Sequence, residues 1–158
     1  MLPENIRLLL EKQKYRIVGN HSAVKLCSWT KKSLRNEGVC YKEKFYGIRS
    51  HRCLQMTPAV SWCPNKCVFC WRATERTLGP TIKGRVDTPE KILEDSIKAQ
   101  RELLTGFKGF EGTDMKKFKE AQNPNQVAIS LSGEPTAYPL ISDFIKLCKR
   151  RDMTTFLV

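Results

Sequence analysis

The 158-residue chain has no apolar run long enough to cross a membrane. Its first residues, Met1-Leu2-Pro3-Glu4-Asn5-Ile6-Arg7, lack the basic-then-apolar order of a secretory leader. These absences set the expectation of a soluble, cytoplasmic protein with no membrane partner. Acidic residues are also scarce: 16 Asp and Glu stand against 28 Lys and Arg, a net charge of +12. A balance this basic favours a polyanionic partner, most often nucleic acid. No RRM or KH fingerprint is visible, so charge alone does not name the RNA. Cysteine, by contrast, is abundant: residues 27, 40, 53, 63, 67, 70 and 148. In a compartment that keeps thiols reduced, so dense a set points to metal; a secreted disulfide scaffold is the alternative.

The densest stretch is Cys63-Pro64-Asn65-Lys66-Cys67-Val68-Phe69-Cys70-Trp71, with spacing C-x3-C-x2-C. Three thiolates in a short loop can hold three irons of a [4Fe–4S] cluster and leave the fourth open to a substrate. Structural zinc usually wants four closing ligands in paired knuckles. This loop offers three at uneven spacing, which favours the cluster over zinc. A second set, Cys27, Cys40 and Cys53, recurs at C-x12-C-x12-C. Spacing so wide specifies no metal site by itself, and unrelated buried thiols explain it equally well. The surrounding segment is nevertheless long and polar for an unconstrained loop, and a cluster would constrain it.

Taken in order, residues 4–14 read as a helix with Ile6, Leu9, Leu10 and Gln13 on one side. Residues 15–52 show no sustained period. An extended segment over 53–62 leads into the loop, with Pro58 awkward for a central strand. Residues 77–85 read as a connection. Asp87-Thr88-Pro89-Glu90 opens a helix that runs to about Leu104, through a capping residue and a first-turn proline. A short helix follows at about 114–121, whose Lys116, Lys117 and Lys119 read as a solvated face with an RNA backbone contact as the alternative. Residues 126–132 form the clearest strand, running into Gly133-Glu134-Pro135-Thr136. A helix over 139–150 places Cys148 in the core, and a further strand begins at Thr154. Strands alternating with helices predict an α/β fold with three parallel strands.

The loop Cys63-x3-Cys67-x-Phe69-Cys70 resembles the signature of the radical S-adenosylmethionine (SAM) superfamily. Cys40-Tyr41-Lys42-Glu43-Lys44-Phe45-Tyr46-Gly47-Ile48, His51-Arg52-Cys53, Phe69-Cys70-Trp71-Arg72 and Ile129-Ser130-Leu131-Ser132-Gly133-Glu134-Pro135-Thr136 narrow the resemblance to the archaeal-type 4-demethylwyosine synthase family. The resemblance implies a partial (βα) radical SAM barrel of about three βα units, its C-terminal half missing. It divides the chain into a cysteine-bearing extension over 1–53 and a truncated barrel over 54–158. The family's barrel usually has six units, so the chain is expected to be a fragment that a second chain could complete.

The resemblance further implies two [4Fe–4S] clusters. One, on Cys63, Cys67 and Cys70, would bind SAM; an auxiliary one would sit on Cys27, Cys40 and Cys53. Ser132, Gly133 and Glu134 stand where the superfamily receives the amino group of SAM, with Ser132 replacing the usual first glycine. The implied reaction joins pyruvate to N1-methylguanosine in tRNA-Phe and yields 4-demethylwyosine, through a 5′-deoxyadenosyl radical formed by reductive cleavage of SAM. An external donor such as a flavodoxin or ferredoxin would reduce the clusters. Lys42, two residues after Cys40, is the amine best placed to form a Schiff base with pyruvate, and Lys44 is second. A metal-bearing RNA-binding fragment without turnover, holding zinc or iron–sulfur, remains the alternative reading of the same cysteines and charge.

Overall fold

The computed structural model describes residues 2–72 and 74–158. Its centre is three short runs that pair in parallel: β3 (Cys53–Thr57), β4 (Gln126–Ile129) and β5 (Thr154–Leu157). The register sets Cys53 beside Gln126, Gln55 beside Ala128, and Ala128 beside Phe156. Side chains alternate across a strand, so Leu54, Met56, Val127 and Ile129 share one face, where all four are fully buried. Cys53, Gln55, Ala128 and Phe156 share the other.

The apolar face is covered by the helices that connect the strands, α4 (Pro89–Leu104) and α6 (Ile141–Arg150). Thr88 caps α4 by accepting the Lys91 N–H at 3.3 Å, and Pro89 occupies its first turn, where a missing N–H costs nothing. Ile92 and Leu93 from α4 and Phe144 and Cys148 from α6 fill this core, each fully buried. Cys148 is thus a core residue. α5 (Met115–Ala121) is capped by Asp114, whose side chain accepts from the Lys116 and Lys117 backbones.

The stretch over 15–52, read as aperiodic, has a defined structure. After α1 (Glu4–Lys12) come β1 (Arg16–Val18) and β2 (Ser22–Val24), a hairpin that extends the sheet antiparallel from β3, giving the order β1-β2-β3-β4-β5. Then follow α2 (Ser28–Leu34) and α3 (Tyr41–Tyr46). Strands of three residues are too short to display a period, so sequence pattern passes over them. Much of the constraint on this segment therefore comes from sheet and core contacts.

The hairpin turn is locked by residues distant in sequence. Gly19 sits at φ +56°, and a Cβ there would lie 2.2 Å from Asp87 Oδ2. Asn20 donates its backbone N–H to Asp87 Oδ2 at 2.6 Å and its side-chain amide to Oδ1 at 2.9 Å. His21 donates through Nδ1 to the Pro58 carbonyl at 2.6 Å and accepts the Asp87 N–H on Nε2 at 2.9 Å. Tyr138 donates its hydroxyl to the Asp87 carbonyl at 2.8 Å. Asp87 is therefore a clamp on the hairpin, while Thr88 does the capping.

The long extended segment ends earlier than expected. Strand structure stops at Thr57, and Pro58 begins an irregular passage into the thiol loop. β4 likewise stops at Ile129, leaving residues 130–134 as a turn. No helix among the described residues is long and apolar enough to cross a membrane.

Candidate cluster and cofactor pockets

Six of the seven cysteines divide between two pockets, three to each. Cys27, Cys40 and Cys53 line the first, a space of about 290 Å³, together with Trp29, Lys42 and Gln55. Cys63, Cys67 and Cys70 line the second, about 680 Å³, together with Arg72, Ser132, Gly133 and Glu134. The second pocket lies at the carboxyl end of the parallel strands: its walls follow β3 and β4, and Val158 follows β5. Open α/β sheets present ligand sites at this edge.

In the first pocket each thiol arrives on a different piece of local structure. Cys27 and Cys40 immediately precede α2 and α3, and Cys53 is the first residue of β3. Ser50 ties these pieces together. It receives the Cys40 N–H on Oγ at 2.9 Å, gives its own N–H to Glu43 Oε2 at 2.7 Å, and accepts the Thr30 hydroxyl on its carbonyl at 3.0 Å. Burial pushes the Cys53 thiol up to about 12, although the Lys42 ammonium pulls it down. Lys42 projects into this pocket and rests 4.7 Å above the Phe156 ring centroid. Lys44, its sequence rival, is exposed and is not part of the wall. No pattern in the sequence marks Ser50 or Glu43, because their role is to hold backbone across three elements.

The second pocket is built on the thiol loop. Cys63 is buried, Cys70 half-buried and Cys67 exposed. The loop's base is fixed by backbone bonds from Cys63 to the Gly79 carbonyl and from Leu78 to the Ser61 carbonyl, each 2.8 Å. Asn65 gives its N–H to the Cys63 sulfur at 3.4 Å, and Arg72 donates Nε to the Cys70 sulfur at 3.0 Å. Burial alone would raise the Cys70 thiol, but the bonds and charge of Arg72 outweigh it and the net shift is downward.

The turn after β4 forms the opposite wall. Gly133 adopts φ +100°, and a Cβ there would fall 1.9 Å from the Ala59 carbonyl oxygen, so only glycine fits. The close approach that demands glycine is thus to the chain's own backbone. Glu134 gives its N–H to the Trp62 carbonyl at 2.7 Å, which fixes the turn against the residue preceding Cys63. Its carboxylate accepts the Thr136 N–H at 3.1 Å and the Thr136 hydroxyl at 2.7 Å, both on Oε1. Glu134 therefore caps the short 3-10 helix Pro135–Ala137, with Oε2 left for other partners.

Among the described residues, no three His, Cys, Asp or Glu side chains converge on a point that could hold a single metal ion. A tetrahedral zinc site requires such convergence. A cubane cluster does not, because each thiolate bonds a different iron. Two pockets with three free thiols apiece fit cluster ligation in donor type and number.

A sheet whose parallel strands end at a thiol loop and a glycine-bearing turn defines an α/β protein with its ligand-holding edge at the strand carboxyl ends. No protein-family model matches the chain. The S-adenosyl-L-methionine-dependent tRNA 4-demethylwyosine synthase of Pyrococcus abyssi is 55% identical over 157 residues, covering 99% of this chain and 46% of that protein. A solved structure of TYW1 with a lysine–pyruvate adduct bound superposes with a TM-score of 0.88 at 44% identity, over 99% of this chain and 51% of that one. The crystal structure of an archaeal TYW1 gives a TM-score of 0.81 at 40% identity, over 99% and 52%. The chain belongs to the tRNA 4-demethylwyosine synthase family and spans about half the length of the relatives it matches.

Proposed function

We propose that this chain forms the cluster-bearing part, a partial radical SAM barrel with its N-terminal extension, of an enzyme that converts N1-methylguanosine in tRNA-Phe and pyruvate to 4-demethylwyosine. The observation that carries the reading is the segregation of six cysteines into two three-thiol pockets, one holding Lys42 and the other the Ser132-Gly133-Glu134 turn. Cys63, Cys67 and Cys70 would ligate one [4Fe–4S] cluster, and Cys27, Cys40 and Cys53 the other. When bound, these clusters supply one-electron reduction of SAM and an open iron for the oxygens of pyruvate.

The chain's own residues hold and orient. Ser132, Gly133 and Glu134 receive the amino group of SAM, with the unshared Oε2 of Glu134 as acceptor. Lys42 brings its amine to the pyruvate carbonyl, where condensation forms an imine and releases water. The matched TYW1 structure with its lysine–pyruvate adduct supports this role. The net charge of +12 suits a tRNA partner. An external flavodoxin- or ferredoxin-type donor would supply electrons in the cytoplasm. Further polypeptide, from the same protein or a second chain, would pair the open edge of β5.

Metal analysis of anaerobically reconstituted protein tests the reading. About eight irons per chain are expected, falling to about four in the triple variant Cys63→Ala, Cys67→Ala, Cys70→Ala. Stoichiometric zinc in place of iron would instead support the RNA-binding fragment.

A further inference from the structure

Arg72 lies two residues beyond the last thiol of the loop, and its side chain folds back across it. Its Nε donates to the Cys70 sulfur at 3.0 Å, and one terminal nitrogen donates to the Asn65 carbonyl at 3.4 Å. Asn65 in turn gives its N–H to the Cys63 sulfur at 3.4 Å. One guanidinium therefore connects the first and last thiols of the loop, while the exposed Cys67 between them stays outside the linkage. Arg72 forms no salt bridge among the described residues. Its other terminal nitrogen, Nη1, is buried without a hydrogen-bond partner. Glu134, the acid among the described residues in the wall of the same pocket, already spends Oε1 on Thr136.

A half-buried guanidinium without a carboxylate requires another anion to offset its desolvation. The groups its donors reach are the Cys70 sulfur directly and the Cys63 sulfur through Asn65, and both would carry negative charge as cluster-ligating thiolates. Guanidinium is suited to the task because it stays charged at all relevant pH and presents a planar fork of donors. Hydrogen bonds to sulfur and local net charge are among the factors that set the reduction potential of an iron–sulfur cluster. A positive charge at the loop favours the more negative, reduced state and so raises that potential.

We propose that Arg72 is the positioning residue of the thiol loop: it holds Cys63 and Cys70 ready for ligation and raises the reduction potential of the cluster they carry. The inference rests on the reading that this loop binds a cluster. Two effects are separable. The fork geometry determines how firmly the loop retains its cluster, and the charge determines the potential.

The test uses anaerobically reconstituted protein and three variants, Arg72→Gln, Arg72→Lys and Arg76→Gln. The potential is read by redox titration of the electron paramagnetic resonance signal that SAM perturbs, and retention by the rate of iron loss to a chelator. Arg72→Gln is expected to shift the potential to a more negative value and to lose half of its iron several-fold faster than wild type. Arg72→Lys keeps the charge without the fork, so its potential stays near wild type while its iron loss is accelerated. Arg76→Gln, at an exposed arginine further along the chain, should match wild type in both readouts. Circular dichroism monitors folding, and Arg72→Lys carries the test if Arg72→Gln fails to fold. Wild-type potential and wild-type retention in both Arg72 variants would overturn the inference and leave the cluster reading standing. Wild-type protein that takes up no iron would overturn both.

Discussion

Gln55 donates its side-chain amide to the Ser130 hydroxyl at 3.3 Å, and this bond joins the two thiol pockets. Gln55 lines the pocket of Cys27, Cys40 and Cys53, whereas Ser130 lines the pocket of Cys63, Cys67 and Cys70. The parallel register of β3 and β4 creates the contact, because Gln55 stands beside Ala128 and Ser130 lies two residues further along the same face. The bond is neutral and only partly buried, so its net worth falls in the range of about 0.5–1.5 kcal/mol, at the lower end. A double-mutant cycle with Gln55→Ala and Ser130→Ala, read by denaturant unfolding, should return a coupling energy of that size. Strictly additive variants would show that the two pockets are not linked through this bond.

Gly133 is held where no other residue fits. Its φ of +100° and the 1.9 Å separation that a Cβ would have from the Ala59 carbonyl oxygen act together. The obstacle is backbone, which cannot swing aside as a flexible side chain would. Gly133→Ala should therefore destabilise the fold by about 3 kcal/mol or more. Because the adjacent Glu134 N–H is bonded to Trp62, the displaced turn should also loosen the base of the thiol loop. A lowered unfolding midpoint with faster alkylation of Cys63, which is 7% exposed, would check both effects. A stability within about 1 kcal/mol of wild type, the size of an ordinary substitution, would contradict the packing argument.

Much of this arrangement was legible before the structure. Helix α4 announced itself through Thr88-Pro89-Glu90, and the parallel strands through runs such as Val127-Ala128-Ile129. Those signals are local: a cap, a first-turn proline, consecutive apolar residues. The hairpin of β1 and β2 left no comparable trace, since three residues per strand carry too little pattern. Its anchor, Asp87, lies 67 residues from Asn20, and no property of either residue alone discloses the pairing. The same holds within the pockets. Cysteine spacing marked the loop thiols and the family resemblance grouped Cys27, Cys40 and Cys53, but Ser50, Gln55 and Arg72 act through partners that only the fold brings near.

His21 makes stability depend on pH. Burial holds its imidazole below its usual pKa of 6.5, against smaller upward contributions from the Pro58 carbonyl and the Asp87 carboxylate. The groups facing the ring are Pro58, Asp87, Tyr138 and the Ser22 hydroxyl. Nε2 is occupied in accepting the Asp87 N–H, so a second proton there would replace an attraction with a clash of donors. In the unfolded chain the ring protonates near 6.5, whereas in the folded chain it protonates only at lower pH. The unfolded state then binds more protons, and stability must fall as pH drops. The contribution is fully present above about 6.5 and is lost progressively as pH falls towards the folded value. Comparing unfolding midpoints of wild type and His21→Gln across this range isolates the effect from the carboxylates. The wild type should lose more stability on acidification than the variant; parallel curves would assign the pH dependence elsewhere.

Lys42 and Lys44 stand two positions apart on one short helix, yet only Lys42 lines the three-thiol pocket. A Schiff base with pyruvate requires an amine that can reach a carbonyl held near the pocket wall. Lys42 meets this condition from its place over Phe156, whereas Lys44 is exposed outside the wall. Borohydride reduction in the presence of pyruvate should convert an imine to a stable secondary amine, detected by peptide mass spectrometry. Wild type and Lys44→Ala should be labelled on the peptide containing residue 42, and Lys42→Ala should lose that label while retaining its iron. The iron measurement separates a missing amine from a collapsed pocket, since Cys40 and Lys42 share the same helix start. Full labelling of Lys42→Ala would move the nucleophile to another lysine, and loss of label in both variants would place the two amines in a shared role.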